Sequence, residues 1–535
     1  MASDSGYSKN EMIKLCLVVI CYLCAGVIAL TSHTVLSDFE RDGTEMLFDA
    51  ERILTGQGYN SDFWPFGYMA TIAFVKLITT LDYFTSAKII TLCAGTGVLI
   101  LTYVIAKQVF SEGIAFLAVL ILATNHFFFF HSFLVEMDML YTLLFLSSIY
   151  FLIKGNELKN YLLAGAVAGI SYMVKYGAYA FFPVVAVVVL LNAVDKGILD
   201  SVKKGAVFVA AFFVFSSPWL VHNTVKNGSP FYSKHYVNVA WGINRPQPLT
   251  FKYWGEYFRL NEEYSSMKDV YADTGKFIRN WLGNIKGLPV NIYNILFVAG
   301  YFVPAAFLLA FKELDRRRLI LMLIAVSHLS LVTIAYTWDR YLIPLIPVFC
   351  VAVAFSIQEL FPERFNLGKV IRGFSFQIPY RALIMVALLL VSAVKSYGVV
   401  SEFFKPGKQE LHEYVAAGEW LKDKLTKDDW IMVPQPQAAW YAGTDRMVKY
   451  PADETIPLEE AVKMREQNSF FFWHETLDNP IITDVDYVIY DENKWKAFLP
   501  SKMSESGPIV PPNFIEVFST QGEKTHVIIY KIIHE

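Results

Sequence analysis

The chain has 535 residues, of which 55% are hydrophobic, 16% aromatic and only 18% charged, and its mean hydropathy is +0.38. Values so far above a soluble average exclude an ordinary water-soluble domain and place the chain among multi-pass α-helical membrane proteins. A formal net charge of −3 leaves no basic surface to engage nucleic acid.

The first apolar run, residues 12–30, is long enough to cross about 30 Å of hydrocarbon. A cleaved signal peptide is the rival reading, but no small-residue cleavage site follows, so the run reads as an uncleaved first span. Further runs lie near 87–106, 113–130, 138–154, 160–175, 177–194, 205–223, 289–311, 319–337, 341–359 and 382–400, eleven in all. All five cysteines fall inside these runs, which leaves none for a disulfide or a metal ribbon in the loops. The segment 65–80 is ambiguous, being apolar but interrupted by Lys76. Positive charge decides it. If 65–80 does not cross, one side collects Lys107, Lys154, Lys159, Lys196, Lys203, Lys204, Lys312, Arg316, Arg317, Arg318, Arg364, Lys369, Arg372 and Arg381, against Lys175 and Arg340 in the short loops opposite. The expected topology is therefore eleven spans with a cytoplasmic N-terminus. The first loop (32–86), a long loop (224–288) and the tail (401–535) would lie outside the plasma (inner) membrane.

Those outer segments carry the chemistry-bearing residues. The first loop packs Asp38, Glu40, Asp42, Glu45, Asp49 and Glu51 into a stretch beginning "LSDFERDGTEML". Residues 43–54 have helical period: Met46, Leu47, Ala50, Ile53 and Leu54 form an apolar arc, with Asp42, Glu45, Asp49 and Arg52 opposite. This predicts a helix lying on the outer leaflet, apolar side down and acidic side wet, with Asp42 at the N-cap and Glu45 at N3. Asp42 then either caps the helix or acts as a general base, and one residue can do both. "HSFLVEMDML" sets His131, Glu136 and Asp138 at an outer span end, where Glu136 and Asp138 either bind a divalent cation or Asp138 caps the next helix. Lys175 in "SYMVKYG" either snorkels or meets an anion, and in "WDRYLIPLIP" Arg340 and Tyr341 open a span, with Asp339 placed to pair with Arg340. The long loop is rich in Tyr and Trp (Tyr232, Tyr236, Trp241, Tyr253, Trp254, Tyr257), as in a segment resting on the interface. The tail reads as a small acidic α/β domain, with a helical "ELHEYVAAGEWLKDKL" and strands "WIMVP", "DYVIYD", "FIEVFS" and "HVIIYK".

Acids beside a lysine and an arginine on one membrane face suit displacement of a lipid phosphate, in which cations hold the departing phosphate and a carboxylate takes a proton from an attacking hydroxyl. The stretches "RDGTEMLFDAERILTGQGYNSDFWPFGYMATIAF", "EMDMLYTLLFLSSIYFL", "AGAVAGISYMVKYGAYAFFP", "SSPWLVHN" and "RYLIPLIP" resemble, in order and spacing, integral-membrane glycosyltransferases of the GT-C fold. They are most similar to the protein O-mannosyltransferase and lipid A aminoarabinose transferase group. The resemblance covers residues 10–360 and implies an inverting hexosyl- or pentosyltransferase. Its donor would be a polyprenyl-phosphate sugar, and its acceptor a hydroxyl of a lipid, glycan or protein. It puts the base at Asp42, with Asp38 as runner-up, and the donor-phosphate cation at Lys175. It also matches the late Arg-Tyr to Arg340 and Tyr341, and an acidic position to Asp138 with Glu136 beside it. Asp38 and Glu45 are further candidate substrate contacts. No cofactor is obligatory on this reading; a divalent cation, Mg or Mn, on Glu136 and Asp138 is the alternative. The chain departs from the family in having one Pro in "WPFGY" and Met46 in place of an aromatic residue. A transporter or flippase of lipid-linked sugars would show paired halves with broken helices. A glycan polymerase or ligase would concentrate function in a late loop.

Overall fold

The computed structural model describes residues 9–535 apart from 60, 62, 245–263, 265, 312–313, 335–336, 362, 364, 367–376, 406–410, 450–484, 492–513, 523–524 and 534–535. Tyr253, Trp254 and Tyr257 lie outside the described residues.

Most of the chain is helix, and it forms an integral membrane protein. Seven helical stretches among the described residues are long and apolar enough to cross a bilayer: Lys9–Ser32, Tyr83–Val109, Tyr176–Val194, Ile198–Asn227, Thr274–Ala310, Asp339–Leu360 and Tyr380–Phe403. The remaining apolar runs form shorter helices. Asp138–Lys154, Leu158–Val174 and Arg316–Val332 have 17 residues each, about 25 Å at 1.5 Å per residue. The run 113–130 is broken by Asn125, whose side chain caps a second, short helix, His126–His131. The ambiguous 65–80 segment forms Gly67–Ile78, 12 residues, about 18 Å and short of the hydrocarbon thickness.

Among the helices, Leu158–Val174 and Ile198–Asn227 approach closely because Gly165 and Gly169 sit one turn apart on the contact face. A Cβ on either would meet a backbone oxygen of the other helix, Phe208 O at 2.2 Å and Phe212 O at 2.5 Å. Small residues at this spacing let membrane helices gain dispersion contact where no hydrophobic drive exists between them. Val194, Leu199 and Val225 are more than 80% exposed, as lipid-facing residues are.

The tail forms a five-stranded sheet in the order Met447–Lys449, Ile431–Val433, Tyr487–Asp491, His526–Ile532, Phe514–Gln521. The first three strands are parallel and the last two pair antiparallel. Helices His412–Lys422 and Pro436–Ala442 cover it, and they bury Tyr414, Ala417, Leu421 and Ala438 against Ile431, Val433, Ile489 and Ile529.

The long loop builds its own small core. Phe63, Tyr236, Val237, Val239, Ala240, Ile243 and Val270 are buried together, with Trp338 and Tyr341 packed on them. Tyr236 is therefore an interior residue and not an interfacial one, because helix His235–Asn244 turns it inward.

Candidate functional site

The first-loop helix runs from Arg41 to Thr55, and it corrects two expectations. Glu40, not Asp42, occupies the N-cap position, and Asp42 lies inside the first turn. The capping box belongs one turn earlier, to Ser37 and Glu40 of the 3₁₀ helix Asp38–Glu40. The acidic side of the helix is not wet either: Glu45, Asp49 and Arg52 are buried together with Met46, Leu47 and Ala50. The cause is the C-terminal domain, which docks on that side. Arg52 donates from Nη1 to Asp49 at 3.0 Å and from Nη2 to Asp445 at 2.9 Å, and the Phe48 ring lies edge-on to Trp440 with centroids 5.1 Å apart. Gln435 of the same domain donates to Asp38 Oδ1 at 2.8 Å, so the runner-up carboxylate faces the domain interface. Glu51 remains exposed, and partial burial and the nearby Asp445 raise its pKa above the usual carboxylate value.

Asp42 points elsewhere. Its Oδ2 accepts from Arg340 Nη1 at 3.0 Å, and its side chain is 42% exposed. Arg340 sits in the 3₁₀ helix Asp339–Leu345, and its Nε donates to Asp138 Oδ2 at 2.8 Å and lies 3.8 Å from Glu136 Oε1. Asp138 opens helix Asp138–Lys154 and is fully buried. Its other oxygen, Oδ1, takes the ammonium of Lys175. Lys175 follows helix Leu158–Val174 in extended backbone, which turns its side chain across to Asp138 and places Nζ 5.2 Å above the Tyr341 ring. Glu136 is held by His131 Nδ1 at 2.5 Å from its Oε2. Four segments far apart in sequence thus converge, and the guanidinium of Arg340 is the hub. The expected Asp339–Arg340 pair is absent among the described contacts: Asn291 and Asn294 donate to Asp339 at 2.7 and 3.1 Å instead, which turns that carboxylate away and leaves Arg340 to the other three.

Beside Lys175 and Tyr341 opens a cavity of about 320 Å³. It is walled by aromatic residues of the bundle, Tyr141, Tyr176 and Tyr179, and roofed by Phe231, His235 and Tyr236 of the long loop. Burial, and then the charge of Lys175, push His235 down to about 4, so it lines the cavity as neutral imidazole.

Glu136 and Asp138 both face Arg340 Nε, at 3.8 and 2.8 Å. Their oxygens already face His131, Arg340 and Lys175. No group of three potential metal ligands stands together among the described residues.

The fold of the chain recurs in solved structures. ArnT from Cupriavidus metallidurans bound to undecaprenyl phosphate is 12% identical with a TM-score of 0.60, and the match covers 98% of each chain. The Archaeoglobus fulgidus oligosaccharyltransferase in its apo form is 11% identical with a TM-score of 0.59, over 90% of this chain and 69% of that one. The chain has the GT-C fold. The family model for dolichyl-phosphate-mannose-protein mannosyltransferase also matches residues 65–222. The archaeal oligosaccharyltransferase AglB from A. fulgidus in complex with an inhibitory peptide and a dolichol-phosphate matches with a TM-score of 0.57 at 11% identity, over 90% of this chain and 70% of that one. No curated protein matches the chain by sequence.

Within the GT-C fold, Asp42, Glu136, Asp138, Lys175, Arg340 and Tyr341 come together, whereas Asp38 lies at the domain interface and Glu45 is buried one turn from Asp42. Residues missed by sequence reasoning are His33 and Glu40, a fully buried pair at 2.7 Å. The signal available was the Ser37-to-Glu40 spacing, a capping box five residues upstream of the one expected.

Proposed function

We propose that the chain is a glycosyltransferase of the plasma (inner) membrane. It moves a hexose or pentose from a polyprenyl-phosphate donor to a hydroxyl of a lipid, glycan or protein acceptor on the outer face. The observation that carries this reading is Arg340, whose guanidinium binds a half-exposed carboxylate, Asp42, on one side and shares buried Asp138 with Lys175 on the other. The acceptor oxygen bonds to the anomeric carbon as the bond from that carbon to the phosphate oxygen breaks. Asp42 takes the hydroxyl proton, and the electron pair leaves with the phosphate, where Lys175 and Arg340 meet the growing charge. Attack in line with the leaving oxygen inverts the anomeric centre. Asp138 is the buried counter-ion that keeps both cations in place, and Tyr341 holds Lys175 from the ring side. The cavity beyond Lys175 receives the donor, with bilayer lipids sealing the bundle. The fold match to a structure bound to undecaprenyl phosphate and to one with dolichol-phosphate supports the donor class.

On this reading residues 1–400 are the transferase domain and 401–535 an extracytoplasmic domain. Asp38 and Glu45 act through the loop's shape. No divalent metal is obligatory, because Lys175 and Arg340 supply the positive charge at the phosphate. Complete loss of activity in chelator, restored by Mg or Mn, would overturn that part. The deciding experiment is transfer from a polyprenyl-phosphate sugar by purified, monodisperse variants. Asp42→Asn is expected to lose about 10²–10⁴ in rate with its folding intact, and Asp38→Asn much less. Full turnover by Asp42→Asn would remove the chemical centre of the proposal.

A further inference from the structure

His33 and Glu40 take no part in the chemistry proposed for Asp42, yet both are completely buried, with Nε2 and Oε2 2.7 Å apart. Oε2 of Glu40 also accepts from the backbone N–H and the hydroxyl of Ser37, each at 2.9 Å. Its Oε1 accepts from the N–H of Val135 at 2.7 Å. Burial works to raise the Glu40 pKa, but His33 and the donors of Ser37 and Val135 prevail and hold it below the usual value. His33 is fixed in turn: Lys88 Nζ donates to its carbonyl at 2.5 Å and to that of Leu30 at 3.0 Å, and Phe84, Phe133 and Phe403 pack edge-on around its ring.

The placement matters more than the pair itself. Glu40 stands two residues before Asp42, and Val135 one residue before Glu136. The Glu40 carboxylate therefore ties together the two segments whose acids meet on Arg340. A second contact reads the same distance: a Cβ on Gly43 would lie 2.2 Å from the carbonyl oxygen of Val135. The amide and the carbonyl of Val135 both abut the first-loop segment. A buried, hydrogen-bonded charge is seldom a better source of stability than an apolar residue of the same size, so retention of a carboxylate here points to geometry.

We propose that Glu40 is a positioning residue: its carboxylate, bridging Ser37, His33 and Val135, sets the height of Asp42 above the Glu136–Asp138 turn and so the register between base and phosphate-binding cations. This rests on the reading of Asp42 as the base. A double-mutant cycle tests it, with Glu40→Gln, Asp42→Asn and the pair assayed in single turnovers of a polyprenyl-phosphate sugar by the full-length protein. Glutamine brings N–H donors into a pocket of donors and disturbs the bridge while keeping its volume. Glu40→Gln is expected to turn over about 10²-fold more slowly, with full amplitude and an unchanged donor KM. In the Asp42→Asn background it should cost nothing further, because two residues acting through one step are not additive. A normal rate with reduced amplitude would mark Glu40 as a folding anchor only, and losses that multiply would mark it as independent of Asp42; either overturns the proposal. Wild-type turnover by Asp42→Asn is a different failure, since it removes the base itself and takes the inference with it. Should Glu40→Gln fail to yield monodisperse protein, Gly43→Ala probes the same distance, and a wild-type rate there overturns the proposal.

Discussion

Arg340 meets three carboxylates because a guanidinium is planar and offers donors in several directions at once. Lysine in its place would reach Asp42 or Asp138 but not both, and could not grip a phosphate with two parallel hydrogen bonds. Arg340→Lys is therefore expected to be slowed by about 10²-fold or more in a transfer assay, and wild-type turnover would exclude the hub role. Lys175→Ala should lower kcat as well as raise the donor KM, because Lys175 meets charge that grows as the phosphate departs, while Asp138 retains Arg340 as its partner. Single residues were unevenly legible in the sequence. Lys175 and Arg340 could be found because each is a charge set at the edge of an apolar run, where burial is costly enough to need a reason, and Asp42 from the helical period of the first-loop acids and the family resemblance. Glu40 and His33 carry no such mark: their partners are a backbone amide 95 positions away and a ring enclosed by phenylalanines. Asp339 misled for the opposite reason, since adjacency to Arg340 in sequence says nothing about which way a 3₁₀ turn aims two neighbouring side chains.

The first-loop helix was placed correctly by its period, but the meaning of its two sides was not. An acidic stripe has the same pattern whether it faces water or a second domain, and here Asp49, Arg52 and Asp445 form the joint. Asp49 and Arg52 are buried, while Asp445 is 44% exposed. Arg52→Ala leaves Asp49 buried beside no arginine and should cost about 3–5 kcal/mol. Asp445→Asn breaks only a solvated pair and should cost about 0–1 kcal/mol. Thermal unfolding of the two variants side by side measures the difference, and equal losses would contradict it. The long-loop helix His235–Asn244 carries a pH dependence of its own. His235 is held near 4 in the folded protein against 6.5 ordinarily, so the unfolded chain binds the extra proton first. Folding stability should be unaffected by this residue above pH 6.5 and fall as pH drops from 6.5 towards 4. His235→Gln should flatten that part of the melting-temperature profile relative to wild type.

For the whole molecule, the bias of basic residues gives the proposed orientation and the apolar runs set the helices. The run 138–154 already had the length of helix Asp138–Lys154, but run lengths could not reveal that Asn125 interrupts 113–130, because hydropathy registers burial in protein and burial in lipid alike. Single cysteines at Gln57, Thr80 and Lys427, all exposed, in a cysteine-free background should react with an impermeant reagent from outside. One at exposed Lys159 should react only after permeabilisation. Labelling of Lys427→Cys from the cytoplasmic side alone would reject the topology. The docking of the C-terminal domain on the first loop also constrains how the protein is made. Leu36, Ser37, Asp38 and Arg52 are bonded by Tyr441, Gln437, Gln435 and Asp445, partners about four hundred residues later in the chain. The loop bearing Asp42 leaves the ribosome among the first segments and waits until nearly the last for the surface that holds it. On the proposed function and topology, a protein assembled in this order stays inert throughout its insertion and acquires activity only when its final domain has crossed the membrane, so that a truncated product would reach the bilayer without being able to act on it.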